Sequence, residues 1–186
     1  MGAIKVHEFI SLDGVIEDPS WTFEFGFDPK MGEAIGSLTG DSKAILLGRR
    51  TFEMFAPAWS TRTVEDDPGA PFFNDTQKYV VASTAPSVEW ANSTVIGGYD
   101  AAAIDKLKAD VDGPIFVSGS GRLVHAMLTD GLVDELHLFV YPVALGRGQR
   151  LFPDGADTLK LSLVSSETYA NGVVHLAYAA AASGRS

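Results

Sequence analysis

A short apolar run at residues 114–117 leads into the tight turn Gly119-Ser120-Gly121, and apolar residues at helical spacing follow the turn. A strand, a tight turn and a helix start together aim several backbone N–H groups and the positive end of a helix dipole at one point. Such a point suits a phosphate group. The pattern therefore predicts an anion-binding cradle, with a tight turn that holds no ligand as the alternative.

Three better-known glycine motifs do not match this turn. The dinucleotide fingerprint G-x-G-x-x-G needs a third glycine where this chain has Val124. A serine-hydrolase elbow needs the pattern G-x-S-x-G, whereas glycines flank Ser120 directly. The Walker pattern is absent from the sequence. Recognition of an anion by the backbone is the interpretation that remains.

A second strand-to-helix junction carries two adjacent arginines. The apolar run Ile45-Leu46-Leu47-Gly48 leads into Arg49, Arg50 and Thr51 at a predicted helix start. Cations at this end oppose the helix dipole and cost stability unless an anion is shared. Arginine offers fork-shaped donors for phosphate and a flat face that can stack on a base. We therefore expect this junction to bind an anion, with an ordinary surface-charge pair as the alternative.

The remaining polar groups are weaker signals. Ser83 and Thr84 follow a third predicted strand and are placed to meet a nucleotide phosphate, although both residue types are common in turns. The four histidines stand on separate predicted elements, without the H-x-H or H-E-x-x-H spacing of a metal site. The sequence therefore predicts no metal site.

Composition limits the partners that the chain can have. Its 186 residues are 46% hydrophobic and 20% charged, which is enough apolar material for one core. A formal net charge of −10 argues against a nucleic-acid or anionic-membrane surface, because such surfaces need clustered Lys and Arg. The lack of cysteine excludes disulfides and thiolate chemistry and is typical of a reducing cytoplasm. The sequence shows no signal-peptide pattern and no apolar stretch near the ~18 residues of a membrane span.

The elements that must position these groups alternate between short β-rich runs and helical patterns. The predicted strands of the first two thirds are 3–10, 44–47, 78–82, 94–96 and 114–117. The predicted helices are 29–38, 51–55, 101–109 and 123–129. Asp100 stands at the expected N-cap of the third helix. Three further strands, 134–141, 159–166 and 173–179, follow without helices between them.

This order predicts one α/β domain over residues 1–180. Its sheet is mixed but mainly parallel, with a C-terminal antiparallel hairpin and helices on both faces. Asn171-Gly172 predicts a type I′ turn in that hairpin. Residues 61–75 lack apolar periodicity and are interpreted as an excursion loop over a site. Residues 181–186 are expected to form a disordered tail.

Several motifs together resemble the dihydrofolate-reductase-like superfamily. Gly48-Arg49-Arg50-Thr51-Phe52-Glu53 is similar to the G-R-x-T-[WF]-E motif of dihydrofolate reductases, and Val117-Ser118-Gly119-Ser120-Gly121 to their V-x-G-G-x turn. Ser11-Leu12-Asp13-Gly14 resembles the S-x-D-G of the reductase domain of riboflavin-biosynthesis deaminase-reductases. That domain is also similar to segments 134–137, 141–146 and 151–152, so the resemblance spans nearly the whole chain.

The resemblance implies a three-layer dihydrofolate-reductase-like fold that binds NADPH across the carboxyl ends of its strands. The run Gly48-Arg49-Arg50-Thr51 would meet the adenosine phosphate and the pyrophosphate, and Ser83 and Thr84 would lie beside the 2′-phosphate. The residues that would cradle the pyrophosphate and the nicotinamide side are Ser118, Gly119, Ser120, Gly121, Arg122 and Leu123.

The residues that would act on a substrate are less well marked. Dihydrofolate reductases carry an acidic residue on the first helix, but the family spacing falls near Gly32, and the adjacent Glu33 would point about 100° away around the helix. Folate is therefore disfavoured as substrate. Asp13 is the first candidate to contact substrate or deliver a proton and Glu33 the second, with a turn residue and a solvated carboxylate as the alternatives. Trp21 and Tyr141 are candidate substrate contacts, with local packing as the alternative.

The sequence thus predicts a cytoplasmic, NADPH-dependent reductase of a small heterocyclic or sugar-linked substrate. The family resemblance suggests the pyrimidine intermediate of riboflavin synthesis, 5-amino-6-(5-phosphoribosylamino)uracil. A nucleotide-binding module of the same fold without turnover is the alternative. An exposed edge among the late strands suggests, by analogy, a homodimer.

Overall fold

The computed structural model describes residues 1–180, and within them eight strands form one mixed sheet. The strands are β1 (Ile4–Ser11), β2 (Ala44–Gly48), β3 (Gln77–Val81), β4 (Ser93–Val95), β5 (Ile115–Ser118), β6 (Glu135–Tyr141), β7 (Leu161–Thr168) and β8 (Val174–Ala180). Their order across the sheet is β4-β3-β2-β5-β1-β6-β8-β7. Strands β1 to β6 pair in parallel, whereas β8 is antiparallel to β6 and β7. The predicted mixed sheet with its C-terminal antiparallel hairpin is confirmed.

The central strand β1 shows why both faces of the sheet are buried. Its neighbours β5 and β6 pair with it on either side. Ile4, Val6 and Ile10 belong to the apolar core on one face, and Phe9 packs against the core on the other. This alternation follows from the two-residue period of a strand. A strand that is buried on both faces is a short run of apolar residues in the sequence. Such strands are therefore easy to predict from the sequence.

Helices cover the two faces of the sheet and, together with it, form the predicted three layers. They are a 3-10 helix (Pro19–Phe25), α1 (Pro29–Gly40), α2 (Arg49–Trp59), α3 (Ala70–Asp75), α4 (Ala101–Asp110) and α5 (Gly121–Thr129). Apolar side chains of α4 and α5 pack on the Ile4 face, and those of α1 and α2 on the Phe9 face. The Asp100 carboxylate accepts a hydrogen bond of 2.9 Å from the Ala102 N–H, which confirms the predicted N-cap.

The segment 61–75 differs from the sequence prediction. Its last six residues form α3, and residues 61–75 do not line the large cavity described below. The reason is aromatic packing, because Phe73 stacks on Trp59 with ring centroids 4.2 Å apart. Lys78 fixes the end of α3, since its Nζ donates to the carbonyls of Phe73 and Thr76 at 2.8 and 2.9 Å. The same packing extends α2 past the predicted end at residue 55.

The turn between β7 and β8 is not of type I′. That type needs positive φ at both central residues, and of the pair Asn171-Gly172 only Gly172 has one, at 86°. The Tyr169 N–H donates to the Val173 carbonyl at 2.9 Å, and the Gly172 N–H to the Tyr169 carbonyl at 3.0 Å. The hairpin therefore closes through a three-residue loop with glycine at the left-handed position.

Within residues 1–180, no helix has both the length and the apolar character needed to cross a membrane. The tail predicted at 181–186 lies outside the described residues.

Candidate functional site

A cavity of about 510 Å³ opens at the carboxyl ends of β1, β2, β3 and β5. Open α/β sheets bind ligands outside these strand ends. The predicted cofactor residues that the structure brings together around this cavity are Gly48, Arg49, Arg50, Thr51, Ser118, Gly119, Ser120, Gly121, Arg122 and Leu123. The two strand-to-helix junctions singled out in the sequence therefore border one space, although they lie about seventy residues apart in the chain.

Hydrogen bonds join the two junctions directly. The Gly48 N–H donates to Ser120 Oγ at 2.9 Å, and the Ser120 N–H donates to Thr51 Oγ1 at 2.9 Å. Gly119 and Ser120 both have positive φ, at 61° and 58°. These two conformations turn the chain sharply from β5 into α5, so the backbone donors offered to an anion are those of the first turn of α5. The first turn of α5 follows at once, and no side chain caps it.

Glycine is required on both sides of Ser120 by close packing. A Cβ at Gly119 would lie 3.2 Å from Thr51 Cγ2, and the left-handed φ disfavours any side chain there. A Cβ at Gly121 would collide with the Ile16 side chain and approach Gln149 Nε2 to 3.1 Å. The backbone of the turn can therefore lie against α2 and the 14–17 loop while its cavity side stays open.

The two arginines stand at the mouth of the cavity. Arg49 Nε contacts Glu53 Oε1 at 3.0 Å, and a second guanidinium nitrogen contacts the hydroxyl of Thr84. Arg50 Nη2 contacts Glu17 Oε1 at 3.2 Å. The exposed fractions of the two arginine side chains are 43% and 73%, so these ion pairs are weak. The guanidinium groups can therefore turn to an anionic ligand at little cost.

The two hydroxyls after β3 lie beside the cavity and do not line it. Ser83 and Thr84 are both exposed. Thr84 is linked to the site through its contact with Arg49. The structure therefore brings Thr84 to the arginine junction and leaves Ser83 further out, where its hydroxyl faces Gly98.

One cavity residue was missed by the sequence analysis. Glu8 lies on β1 and lines the cavity, yet only 3% of the residue is exposed. Its Oε1 atom has no hydrogen-bond partner among the residues that the structure describes. Burial raises the pKa of the Glu8 carboxyl well above its usual range, although the Gly119 N–H opposes the shift. A signal was present in the sequence, because Glu8 shares the strand face of Ile4, Val6 and Ile10.

Asp13, the first catalytic candidate, has its carboxylate occupied. Oδ1 accepts from the Ser11 hydroxyl at 2.6 Å and from the Leu145 N–H at 3.0 Å, and Oδ2 accepts from the Gly146 N–H at 2.7 Å. The Ser11 hydroxyl and then these two N–H groups hold the pKa of Asp13 well below its usual range. Asp13 is not among the cavity residues and ties the 145–146 loop to the end of β1.

The other three substrate or catalytic candidates also lie outside the cavity lining. Glu33 is exposed on α1. Tyr141 is buried among aromatic rings on the Phe9 face, where its hydroxyl lies 3.8 Å from Met31 Sδ and burial raises its pKa to about 12. Trp21 meets Tyr141 edge to face at 5.4 Å and donates its Nε1–H to the Glu17 carbonyl at 3.2 Å. For both aromatic residues the structure shows packing contacts.

Three histidines from separate strands come together on the Phe9 face. His137 Nδ1 lies 2.9 Å from His175 Nε2, and His7 Nδ1 lies 3.2 Å from the Ser118 hydroxyl. Phe9 and Phe139 surround the His7 ring at centroid distances of 4.7 and 5.1 Å. In residues 1–180, no cluster of three or more His, Cys, Asp or Glu side chains has a geometry that could hold a metal ion.

Two uncharacterized proteins of Bacillus subtilis (strain 168) are similar to this chain. YyaP is 27% identical over 173 residues, which cover 91% of this chain and 90% of YyaP. YwjB is 28% identical over 171 residues, which cover 88% of this chain and 90% of YwjB. Both alignments therefore cover about nine tenths of this chain and of the relative.

Solved structures show the same fold at low sequence identity. A putative riboflavin biosynthesis protein from Shewanella sp. PV-4 superposes with a TM-score of 0.78 at 20% identity, over 97% of this chain and 99% of that one. A pyrimidine reductase-like protein from Corynebacterium diphtheriae gives 0.63 at 16% identity, over 97% and 92%. The RibD protein of Acinetobacter baumannii gives 0.68 at 16% identity, over 97% of this chain and 58% of that one. These similarities confirm the predicted dihydrofolate-reductase-like fold.

The family model for the RibD C-terminal domain matches residues 3–175. This match supports a reductase-like role, in agreement with the motifs at 11–14, 48–53 and 117–121. Because it covers nearly the whole chain, the protein belongs to the RibD C-terminal domain family.

Proposed function

We propose that this protein is an NADPH-dependent reductase of a small heterocyclic or sugar-linked substrate. The observation that carries the proposal is the direct hydrogen bonding of the two predicted anion-binding junctions, Gly48-Arg49-Arg50-Thr51 and Gly119-Ser120-Gly121, beside one cavity. A dinucleotide needs two such anchors because its phosphates are spread along its length. If the 119–121 segment were only a tight turn and Arg49-Arg50 only a surface-charge pair, hydrogen bonds between the two segments would not be expected.

The residues present fit a dinucleotide. The uncapped start of α5 at Gly121 would hold the pyrophosphate, because the backbone N–H groups of a first helical turn have no partner within the helix. Arg49 and Arg50 would bind the remaining phosphate groups with their fork-shaped donors. When bound, the nicotinamide supplies a hydride; the protein holds the two reactants in line and excludes water.

The comparisons favour one substrate class. The solved relatives include a putative riboflavin biosynthesis protein and a pyrimidine reductase-like protein. The substrate we propose first is therefore 5-amino-6-(5-phosphoribosylamino)uracil. Asp13 has a positioning role in this proposal, because it fixes the 145–146 loop at the end of β1.

Cofactor binding tests the proposal at the arginine junction. We expect the wild-type protein to bind NADPH more tightly than NADH, and the Arg49→Ala variant to bind NADPH about tenfold or more weakly, because a charge-assisted hydrogen bond is lost. Isothermal titration measures both affinities. Arg62→Ala is the matched control, since Arg62 is exposed and lies outside the cavity. Absence of NADPH binding at millimolar concentration would overturn the proposal.

Turnover is tested separately by the loss of NADPH absorbance. The substrate panel contains the proposed pyrimidine, its dephosphorylated form and dihydrofolate. We expect oxidation of NADPH with the phosphorylated pyrimidine and none with dihydrofolate. Binding of NADPH without oxidation by any of the three would leave a nucleotide-binding module as the function.

A further inference from the structure

The cavity is lined by a carboxyl group to which the functions described so far assign no task. Glu8 stands in the middle of β1, on the strand face whose other members, Ile4, Val6 and Ile10, form the apolar core. It is 3% exposed and lines the cavity. A carboxyl group at such a position costs stability compared with an apolar side chain, so its presence needs a reason.

The Glu8 carboxyl is incompletely bonded. Within residues 1–180, Oε1 has no hydrogen-bond partner. An ionised carboxylate in this state would lose the hydration of Oε1 without replacement, and the Gly119 N–H offsets only part of this cost. The protonated form is therefore favoured, and burial accordingly raises the pKa of this group. A buried carboxyl group that favours its protonated form is suited to donate a proton.

The residues that line the cavity differ in exposure, because the two arginines are exposed and Glu8 is buried. The side chains of Arg49 and Arg50 have exposed fractions of 43% and 73%. The apolar side chains that line the cavity include Ile16, Leu123 and Ala126. The other charged groups around the cavity are Glu17, Asp18 and Arg122. The exposed arginines therefore suit the phosphates of a ligand, and the buried Glu8 carboxyl suits an uncharged, reacting part.

We propose that Glu8 is the proton donor of the reduction. The proposal rests on the reductase function given above. The substrate C=N or C=O carbon would form its new C–H bond with the hydride that a bound dihydronicotinamide would supply by breaking one of its own C–H bonds. The Glu8 O–H bond breaks, and its proton goes to the substrate nitrogen or oxygen. Nicotinamide is oxidised and the substrate is reduced.

Glu8 regains its proton from water that enters the cavity. The carboxylate left after transfer is buried, and the same burial that keeps the acid neutral drives its reprotonation. The complete reaction therefore consumes one NADPH and one proton for each substrate reduced. No other carboxyl group of the cavity combines this burial with an unpaired oxygen within the described chain.

Glu8→Gln and Glu8→Asp test the proposal. Gln is a neutral isostere, so we expect the Glu8→Gln protein to fold, to keep its thermal midpoint and to bind NADPH within about twofold of wild type. Its single-turnover rate should fall by about 10²- to 10⁴-fold, the range that a general acid contributes. Glu8→Asp keeps an acid and should recover part of the rate. Glu89→Gln, an exposed carboxyl outside the cavity, is the matched control.

A second readout does not depend on turnover. The infrared spectrum of the wild-type protein at neutral pH should contain the C=O band of a protonated carboxylic acid, which Glu8→Gln removes and Glu89→Gln retains. This band should shift when NADPH or the substrate pyrimidine binds.

The pH dependence of turnover gives a third readout. The reduction rate of the wild type should fall with rising pH as Glu8 ionises, and this fall should be missing from the pH profile of Glu8→Gln.

The outcomes separate the two proposals. A wild type that binds no NADPH, or binds it and reduces no substrate, overturns the reductase function and the role of Glu8 with it. A wild type that reduces the pyrimidine while Glu8→Gln keeps the same rate overturns the role of Glu8 alone. Loss of NADPH affinity in Glu8→Gln equal to its loss of rate would make Glu8 a cofactor-binding group, which also contradicts proton donation.

Discussion

Asp13 and Glu8, the acidic residues of β1 and the turn after it, differ in hydrogen bonding, in burial and in pKa. Asp13 receives three hydrogen bonds that lower the pKa of its carboxyl, whereas Glu8 is buried with one oxygen unpaired among the described residues, and burial raises its pKa. The first arrangement suits an anchor, since an anion collects N–H and O–H donors. The second suits an acid. Surroundings, rather than residue type, therefore assign the two roles.

The anchor role of Asp13 gives a prediction at this scale. Asp13→Asn replaces an acceptor-only carboxylate by an amide, so the charge-assisted bonds from the Leu145 and Gly146 N–H groups weaken. We expect amide hydrogen exchange at these two residues to speed up several-fold and the affinity for NADPH to stay unchanged. Exchange followed by NMR measures the first and titration the second. Asp112→Asn, at an exposed site, is the control. A strong loss of turnover with unchanged exchange would instead place Asp13 at the reaction.

At the scale of elements, the site depends on the contact between α2 and the turn before α5. Thr51 is the central link, because its hydroxyl accepts from the Ser120 N–H at 2.9 Å while its methyl group faces Gly119. Each element alone is a common strand-to-helix junction. Their contact fixes the distance between the two proposed phosphate anchors, so a ligand finds both already in place.

Thr51→Val tests this coupling. The substitution keeps the shape and removes the acceptor, so the Ser120 N–H loses its partner in a nearly buried site. We expect the free energy of unfolding to fall by about 1–2 kcal/mol, as for a buried unsatisfied donor. NADPH affinity should fall as well, because the turn is less well fixed. Urea unfolding and titration measure the two effects. Thr51→Ser keeps the hydroxyl and should retain most of the NADPH affinity; equal losses in both variants would contradict the coupling.

The elements that the sequence predicts well are those whose own residues determine them. Strand β2 is a short apolar run bounded by turn residues, and the helix after Asp100 has its own N-cap. Helix α3 escapes prediction because it is held from outside, by Lys78 at its carboxyl end and by the stacking of Phe73 on Trp59. The type of the β7–β8 turn was predicted wrongly because a dipeptide does not specify which of its residues takes positive φ.

At the scale of the whole molecule, some site residues are predicted from local sequence and others gain their role only from the fold. The motifs around Arg49 and Ser120 are local in sequence, so each predicts its own anion contact. Glu8 gains its properties from α5, β5 and the 14–17 loop, which are brought to it only by the fold. His7 and Glu8 are adjacent in β1 and therefore lie on opposite faces of the sheet. His7 packs in an aromatic cluster, whereas Glu8 lines the cavity. Their spacing alone predicts neither environment.

The histidine cluster at the centre of the sheet makes global stability depend on pH. Burial, and then the nearby His137 and His175, lower the pKa of His7 from 6.5 to about 3. Between these two values the unfolded chain binds a proton that the folded chain does not. The folded state is therefore favoured in full above pH 6.5 and loses stability as the pH falls towards 3. A pKa shift of this size corresponds to a loss of about 5 kcal/mol in the free energy of unfolding as the pH falls over the whole interval.

Comparison with His7→Phe isolates this contribution. Phenylalanine suits a position among Phe9, Phe116 and Phe139 and does not titrate. We expect the wild type to lose unfolding free energy faster than His7→Phe as the pH is lowered below 6.5, with a constant difference above it. The opposite pH dependence of Glu8, whose proton is held more tightly in the folded state, is common to both proteins and cancels in the difference. Urea unfolding at a series of pH values measures the two curves, and His125→Asn on α5 is the control. Parallel curves below pH 6.5 would show that His7 is not held neutral, because the proton would then be bound equally by the folded and unfolded chains.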